Sequence, residues 1–326
     1  MNLPYGLRLL LLSSASYFVI YCLASLAVCA VAPAVLRRVP SRLPRRVAAF
    51  LAALRLLPLA LALFAVAGLC VPGYLRFEPE ADVERAGAFC MLAALAGAGI
   101  CLWGVTRAGR ALWRSIRSTH ELRRSGREIR LPGELAPVAV LDSDAPLVAL
   151  TGVARSRVVV SRGLLQALSA EQLEAALRHE QGHRAAHDNA KRVLFLLAPD
   201  PFAPFGRLAA LERGWARLAE WAADDSAAAG DPRRALTLAE TLVRVARLGR
   251  PAAACAVAAQ LISDGCGLRE RVHRLVEFAG HPPAPASSRS RATLPVMIFA
   301  GLVALAAASQ FPILYSAHRL LEAFLR

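Results

Sequence analysis

The chain has 326 residues, 56% of them hydrophobic, and a formal net charge of +15. So apolar a composition excludes an ordinary soluble enzyme and points to several membrane spans around one moderate soluble domain. The charge is nearly all arginine, with Lys191 the only lysine, and it lies beside apolar stretches with no interleaved aromatic or recognition motif, which argues against direct nucleic-acid binding.

Four stretches are long and apolar enough to cross a bilayer, at about 9–36, 48–71, 87–105 and 294–315. The first is longer than a signal-peptide core, its N-terminal flank carries little charge, and Arg37, Arg38, Arg42, Arg45 and Arg46 follow it. It reads as a span, the alternative being a cleavable signal ending near Ala30-Val31-Ala32 or Ala32-Pro33-Ala34. The second holds Arg55 and Pro58, and Arg55 is expected to snorkel to the nearby membrane surface. Arginines follow spans one and three (Arg107, Arg110, Arg114 and Arg117 among the latter), whereas Glu78, Glu80, Asp82 and Glu84 lie between spans two and three. The positive-inside rule then puts the N-terminus outside, the central domain in the cytoplasm and the short C-terminal tail outside. The expected division is 1–105, a membrane domain of three spans; 106–291, a cytoplasmic domain; and 292–326, the fourth span and an extracytoplasmic tail.

Within the central domain, 106–130 reads as a basic amphipathic helix leaving the membrane. The runs 137–141, 147–150 and 157–161 are β-like, bounded by Asp, Pro and Gly. Ser169, with Gln172 three residues on, predicts a capping box opening a helix that continues towards Asn189. Helical patterns recur at 205–229, 232–248 and 268–278, and the Pro- and Ser-rich 280–290 reads as a linker. The fold class expected is mainly α with a small β-sheet, in a multi-pass membrane protein with four transmembrane helices and an α+β domain between spans three and four. Cys22, Cys29, Cys70, Cys90 and Cys101 lie in or at the ends of apolar spans, and Cys255 and Cys266 lack CxxC spacing, so neither a disulfide framework nor a cysteine metal site is expected.

The chemistry-bearing motif is His179-Glu180-Gln181-Gly182-His183, an HExxH on a predicted helix. Residues four apart lie one turn apart on one face, so two imidazoles there can share one Zn²⁺. Glu180 then stands beside the metal, placed to take a proton from a water the metal activates. Gly182 within a helix costs about 1 kcal/mol relative to Ala and asks for a packing reason. Glu220, in Glu220-Trp221-Ala222-Ala223-Asp224 on the second helical stretch, is a candidate third ligand, and Asp224 one turn on could fix the tautomer of a ligand imidazole. An exposed acidic face is the other reading of that pair.

HEQGH, then His187-Asp188-Asn189, then EWAAD, resembles the BlaR/MecR-type membrane metallopeptidases, gluzincins related to the HtpX-like and CAAX prenyl proteases with their HExxH…ExxxD pattern. The lead-in from Pro146 through Val158-Val159-Val160-Ser161-Arg162-Gly163-Leu164 and the later Glu270-Arg271-Val272-His273-Arg274-Leu275 share in the resemblance. It implies one catalytic zinc on His179, His183 and Glu220, with Glu180 as general base and acid and Asp224 intact behind the ligands. It implies a gluzincin-type domain in a bacterial-type cytoplasmic membrane, acting on a protein substrate such as a transcriptional repressor or the enzyme's own chain. It also implies that a substrate strand adds beside the metal along Leu147, Val148, Ala149, Leu150 and Thr151. One departure is large. The antibiotic-sensing members carry an extracellular penicillin-binding domain after the fourth span, whereas only 316–326 follow it here, so covalent sensing of β-lactams is not expected.

Other residues are less defined by the sequence. Arg271 or His273 could polarise the scissile carbonyl or contact substrate, or could pair with a carboxylate. His187 could be a further polar group near the metal or a solvent-facing helix residue, and Asp188 could pair near the site or at the surface. Trp215 and Trp221 read as helix packing, and His120, His281 and His318 have no motif around them. Membrane-embedded proteolysis is the leading reading, against a non-catalytic membrane signalling or scaffold protein with a structural zinc. Cobalt or manganese could take the same three ligands.

Overall fold

The computed structural model describes residues 4–38, 43–77, 87–125, 127–129, 138–153, 156–203, 206–249, 259–260, 267–280, 315–316 and 319. Three helical spans among them are long and apolar enough to cross a membrane. The first is α1 (Tyr5–Arg38). The second is α2 (Pro44–Ala65), which passes through a π-helical turn (Val66–Cys70) into α3 (Val71–Phe77). The third is the start of α4 (Ala88–Ser125). Leu23 and Leu26 of α1, Leu63 of α2 and Leu92, Leu95 and Leu102 of α4 are exposed, as lipid-facing residues must be. The fourth expected span, the acidic loop at 78–84, the 281–290 part of the linker, His281 and His318 lie outside the described residues.

The basic helix expected to leave the membrane is the uninterrupted continuation of α4. One expectation about this region changes. Arg55 does not snorkel: it is 2% exposed, its Nε donates to Glu212 Oε1 at 2.8 Å and its Nη2 to the Ala198 carbonyl at 2.6 Å. A buried guanidinium needs partners, and the soluble domain supplies them. The sequence could not show this, because the partners lie more than 140 residues away.

The soluble part begins with a small sheet built on β2 (Val138–Leu141), β3 (Val148–Thr151) and β4 (Arg157–Ser161), with two shorter strands, β1 (Arg127–Ile129) and β5 (Ala259–Gln260). Its order is β1-β2-β4-β3-β5, antiparallel except for the β2–β4 pair. The three β-like runs of the sequence are therefore strands. Along the stretch expected to take a substrate strand, β3 pairs with β4 on one side and, at two residues, with β5 on the other, Ala149 opposite Gln260 and Leu150 opposite Ala259. Local alternation reports that a segment is a strand but not which remote segment covers its edge.

After β4 come α5 (Arg162–Ala167), α6 (Ala170–Ala186), α7 (Asp188–Leu197), α8 (Arg207–Ala228), α9 (Pro232–Arg247) and, beyond β5, α10 (Leu268–Gly280). Ser169 and Gln172 form the predicted capping box at the start of α6. The helix expected to reach Asn189 instead breaks at His187, which takes the left-handed conformation at φ 55° and ψ 38°. Among non-glycine residues His is one of those that tolerate this conformation best.

Two of the apolar cores among the described residues position the site. In the first, Val148, Leu150, Val158 and Val160 of the sheet meet Ala176 and Leu177 of α6 and Leu238 and Leu242 of α9. In the second, Leu208, Leu211, Trp215 and Leu218 on one face of α8 pack against Val28 and Ala32 of α1 and Leu51 and Ala52 of α2. Helix α8 thus has its first half seated on the membrane helices and its second half in the soluble domain. Tyr21 adds a bond from its hydroxyl to the Pro199 carbonyl at 2.7 Å, and Arg207 reaches the Cys29 carbonyl at 3.2 Å.

Candidate metal centre

His179, Glu180 and His183 share the buried face of α6 with Ala176, at the i, i+3, i+4 spacing of one helical stripe, and all three are 0% exposed. Facing them is the second half of α8, which brings Glu220 and Asp224, 6% and 0% exposed. Gly182 explains the closeness of the two helices. A Cβ on it would stand 3.0 Å from Ala223 Cα and 3.3 Å from the Ala223 and Ser226 Cβ atoms. Gly182→Ala is expected to push α8 outward by a few tenths of an ångström and so to weaken metal binding. The change, roughly tenfold for each 1.4 kcal/mol of lost ligand alignment, is checked by competition with a chromophoric chelator.

The ligand-type atoms of His179, His183 and Glu220 lie within 4.8 Å of one another, the group of that kind found among the described residues. His183 Nδ1 is 2.8 Å from Asp188 Oδ2, and His179 Nδ1 is 3.0 Å from Asp224 Oδ1. An ionised carboxylate only accepts, so each ring turns Nδ1 to its carboxylate and points Nε2 towards Glu220. The two Nε2 atoms are 3.2 Å apart, and Glu220 oxygens lie 3.5 Å from that of His179 and 3.6 Å from that of His183. Two Nε2 atoms and one carboxylate therefore converge on a point where a proton or a metal ion can be shared. Donors on a tetrahedron with bonds of about 2.0–2.1 Å stand about 3.3–3.4 Å apart, so the set fits a zinc ion.

The electrostatics agree. The imidazole of His183, although burial opposes its protonation, is held up by the Asp188 and Glu220 carboxylates to about 10, and His179 is raised in the same sense by Asp224 and Glu220. This is a pocket with surplus negative charge that favours a cation. Burial alone would raise Glu220 and Asp224. The Arg271 guanidinium and the histidines outweigh it, keeping Glu220 well below the usual carboxylate range and Asp224 at about 2. Glu180 differs: burial pushes its carboxyl up to about 7, and neither oxygen has a hydrogen-bond partner.

Of the two residues of α10 offered as substrate contacts, Arg271 is 5% exposed and holds carboxylates instead. Its Nε and Nη2 donate to Asp224 at 2.9 and 2.7 Å, and Nη1 lies 3.0 Å from Glu220 Oε2. His273 stays out of the site, with its side chain 72% exposed and 3.4 Å from Glu277. Residues two apart on a helix point to different sides, so the two could not both face the metal. Arg274, one turn from Arg271, ties α10 to Asp225 and to the Trp221 carbonyl of α8.

His187 is exposed and stands outside the group, while Asp188 is 2% exposed and bonded to His183 and, at 3.0 Å, to Lys191. The left-handed turn at His187 reverses the chain enough to bring Asp188 back onto the preceding helix. Asn189 was not singled out by the sequence. Its Nδ2 donates to the carbonyls of Leu150 and Gly152, fixing the end of β3 to α7. Trp215 and Trp221 belong to the core beneath α8, as packing residues do.

The sequence model of Peptidase family M48 matches residues 116–286, just over half of the chain, and covers every element of this site. No curated protein matches the chain.

Proposed function

The chain belongs to peptidase family M48, whose members are typically zinc-dependent metallopeptidases, and on that premise we propose a membrane endopeptidase that cuts a cytoplasmic or juxtamembrane protein. The observation that carries the reading is the convergence of three buried lone-pair donors beside an unpartnered buried carboxylate. His179, His183 and Glu220 hold one zinc ion, with Asp224 and Asp188 orienting the imidazoles and Arg271 orienting Glu220. Zinc supplies Lewis acidity, polarising a peptide carbonyl and making water a nucleophile near neutral pH.

Glu180 takes the proton of the attacking water and passes it to the leaving amine. Burial acts on this carboxyl in the direction that lets it hold a proton as well as accept one. Structural zinc sites are closed by a fourth protein ligand. Three donors converge among the described residues, and His187, the candidate fourth, faces solvent. That favours catalysis over a scaffold role.

The arginine distribution supports a cytoplasmic zinc domain with the N-terminus and C-terminal tail outside. The resemblance of HEQGH, HDN and EWAAD to the BlaR/MecR-type enzymes supports a narrower reading, regulated cleavage of a repressor or of the enzyme's own chain in signal transduction. The test is N-terminal labelling of the proteome in cells expressing the wild type or Glu180→Gln. New N-termini in cytoplasmic or juxtamembrane proteins, present only with the wild type and suppressed by a zinc chelator, are expected. Identical N-terminal profiles would refute the proteolytic reading.

A further inference from the structure

A second feature lies where the end of α1 meets the start of α2, and its lining shares no residue with the metal-ligand group. Between the last turns of α1 and the first turns of α2 is a cleft of ≈ 470 Å³. Its walls are apolar, formed by Val31, Val35, Val47 and Phe50 together with Ala34 and Leu43, and Arg38 and Arg46 stand at its rim. Both arginines are exposed, and among the described residues neither forms an ion pair. The start of α2 also lacks a side-chain cap, which leaves the positive end of its dipole at the same rim. Both α1 and α2 are long and apolar enough to cross a bilayer, and arginines at the end of such a span suit its surface, where phosphate and acyl chain are found together.

We propose that this cleft binds one anionic diacyl phospholipid of the phosphatidylglycerol type, its phosphate between Arg38 and Arg46 and an acyl chain against Val31, Val35 and Phe50. The two arginines select negative charge, and the apolar walls select a lipid over a free anion. Topology needs basic residues near this end but needs no cleft beside them, so the pairing of the two is the informative feature. Val35 and Val47 line the cleft and also pack against the core on which α8 rests. An occupied cleft therefore braces the seat of the helix that carries Glu220.

The test is native mass spectrometry of the full chain released from detergent, titrated with phosphatidylglycerol or with phosphatidylcholine of the same acyl chains. One phosphatidylglycerol is expected to bind preferentially and to raise the melting temperature. Arg38→Gln with Arg46→Gln should weaken it by roughly fivefold per arginine, or about twenty-five-fold together. Ala34→Trp, which fills the cleft and leaves the charges, should weaken it as well. Arg110→Gln with Arg114→Gln, exposed arginines on α4 beside the same membrane surface, should leave it unchanged. Equal retention of phosphatidylcholine, equal weakening by the α4 pair, or displacement by inorganic phosphate would each overturn the proposal. The first two would show diffuse surface attraction and the third a simple anion site. All these readouts are independent of peptidase activity, so failure here leaves the metallopeptidase reading untouched.

Discussion

Glu180→Gln is expected to lower kcat/KM by roughly 10²–10⁴, the usual contribution of a positioned proton-transfer group, while one zinc per chain is retained. Glu180 is 0% exposed, and among the described residues neither of its oxygens has a hydrogen-bond partner, so no described contact is held by its charge. A buried carboxylate without partners is costly, and a neutral isostere relieves that cost. The melting temperature of Glu180→Gln should therefore be equal to or above that of the wild type even as turnover disappears. Zinc content, melting temperature and peptide hydrolysis measured on one preparation check this. Retained activity in the metal-loaded variant would remove Glu180 from the chemistry, and a large fall in melting temperature would mean that the carboxylate serves the fold.

Arg271→Met is expected to be the most destabilising single change near the site, by about 3–5 kcal/mol, because it leaves the charge of two buried carboxylates without its partner. The guanidinium meets Asp224 through two nitrogens and Glu220 through the third. Asp224 in turn faces His179. Loss of Arg271 should therefore lower the denaturation midpoint and the zinc affinity together. If Arg271 served the substrate instead, the variant would lose kcat/KM while its stability and zinc affinity stayed at wild-type values. Chemical denaturation and metal competition on the same variant separate the two roles.

How much of this was legible in the sequence depends on whether a feature is local. His179, Glu180 and His183 fall on one buried stripe because an i, i+1, i+4 spacing on a capped helix leaves them no other arrangement, and Ser169 with Gln172 announced that helix. The need of Gly182 for a close neighbour was readable too, although the neighbour, Ala223, was not. Glu220 and Asp224 were candidates on spacing, and the resemblance to known peptidases raised them above an exposed acidic face. What remained hidden was set by contacts distant in sequence. These include Arg55 on Glu212, β5 against β3, and Arg271 on α8 some fifty residues earlier. For Asp188 the sequence left pairing near the site or at the surface open, because its approach to His183 depends on a left-handed residue at His187 that no glycine marks. For Arg271 and His273 the sequence left substrate contact and carboxylate pairing both open, and the carboxylates they meet, Asp224 and Glu220 for Arg271 and Glu277 for His273, decide where each side chain lies.

The most direct test of the account is the metal content of the detergent-purified chain, wild type beside His183→Ala and Glu220→Ala. About one zinc per chain in the wild type, lost or sharply weakened in both variants, is the predicted result, since donors on two different helices are required at once. No zinc in the wild type, or zinc indifferent to Glu220→Ala, would contradict the proposed ligand set and with it the catalytic reading of the site.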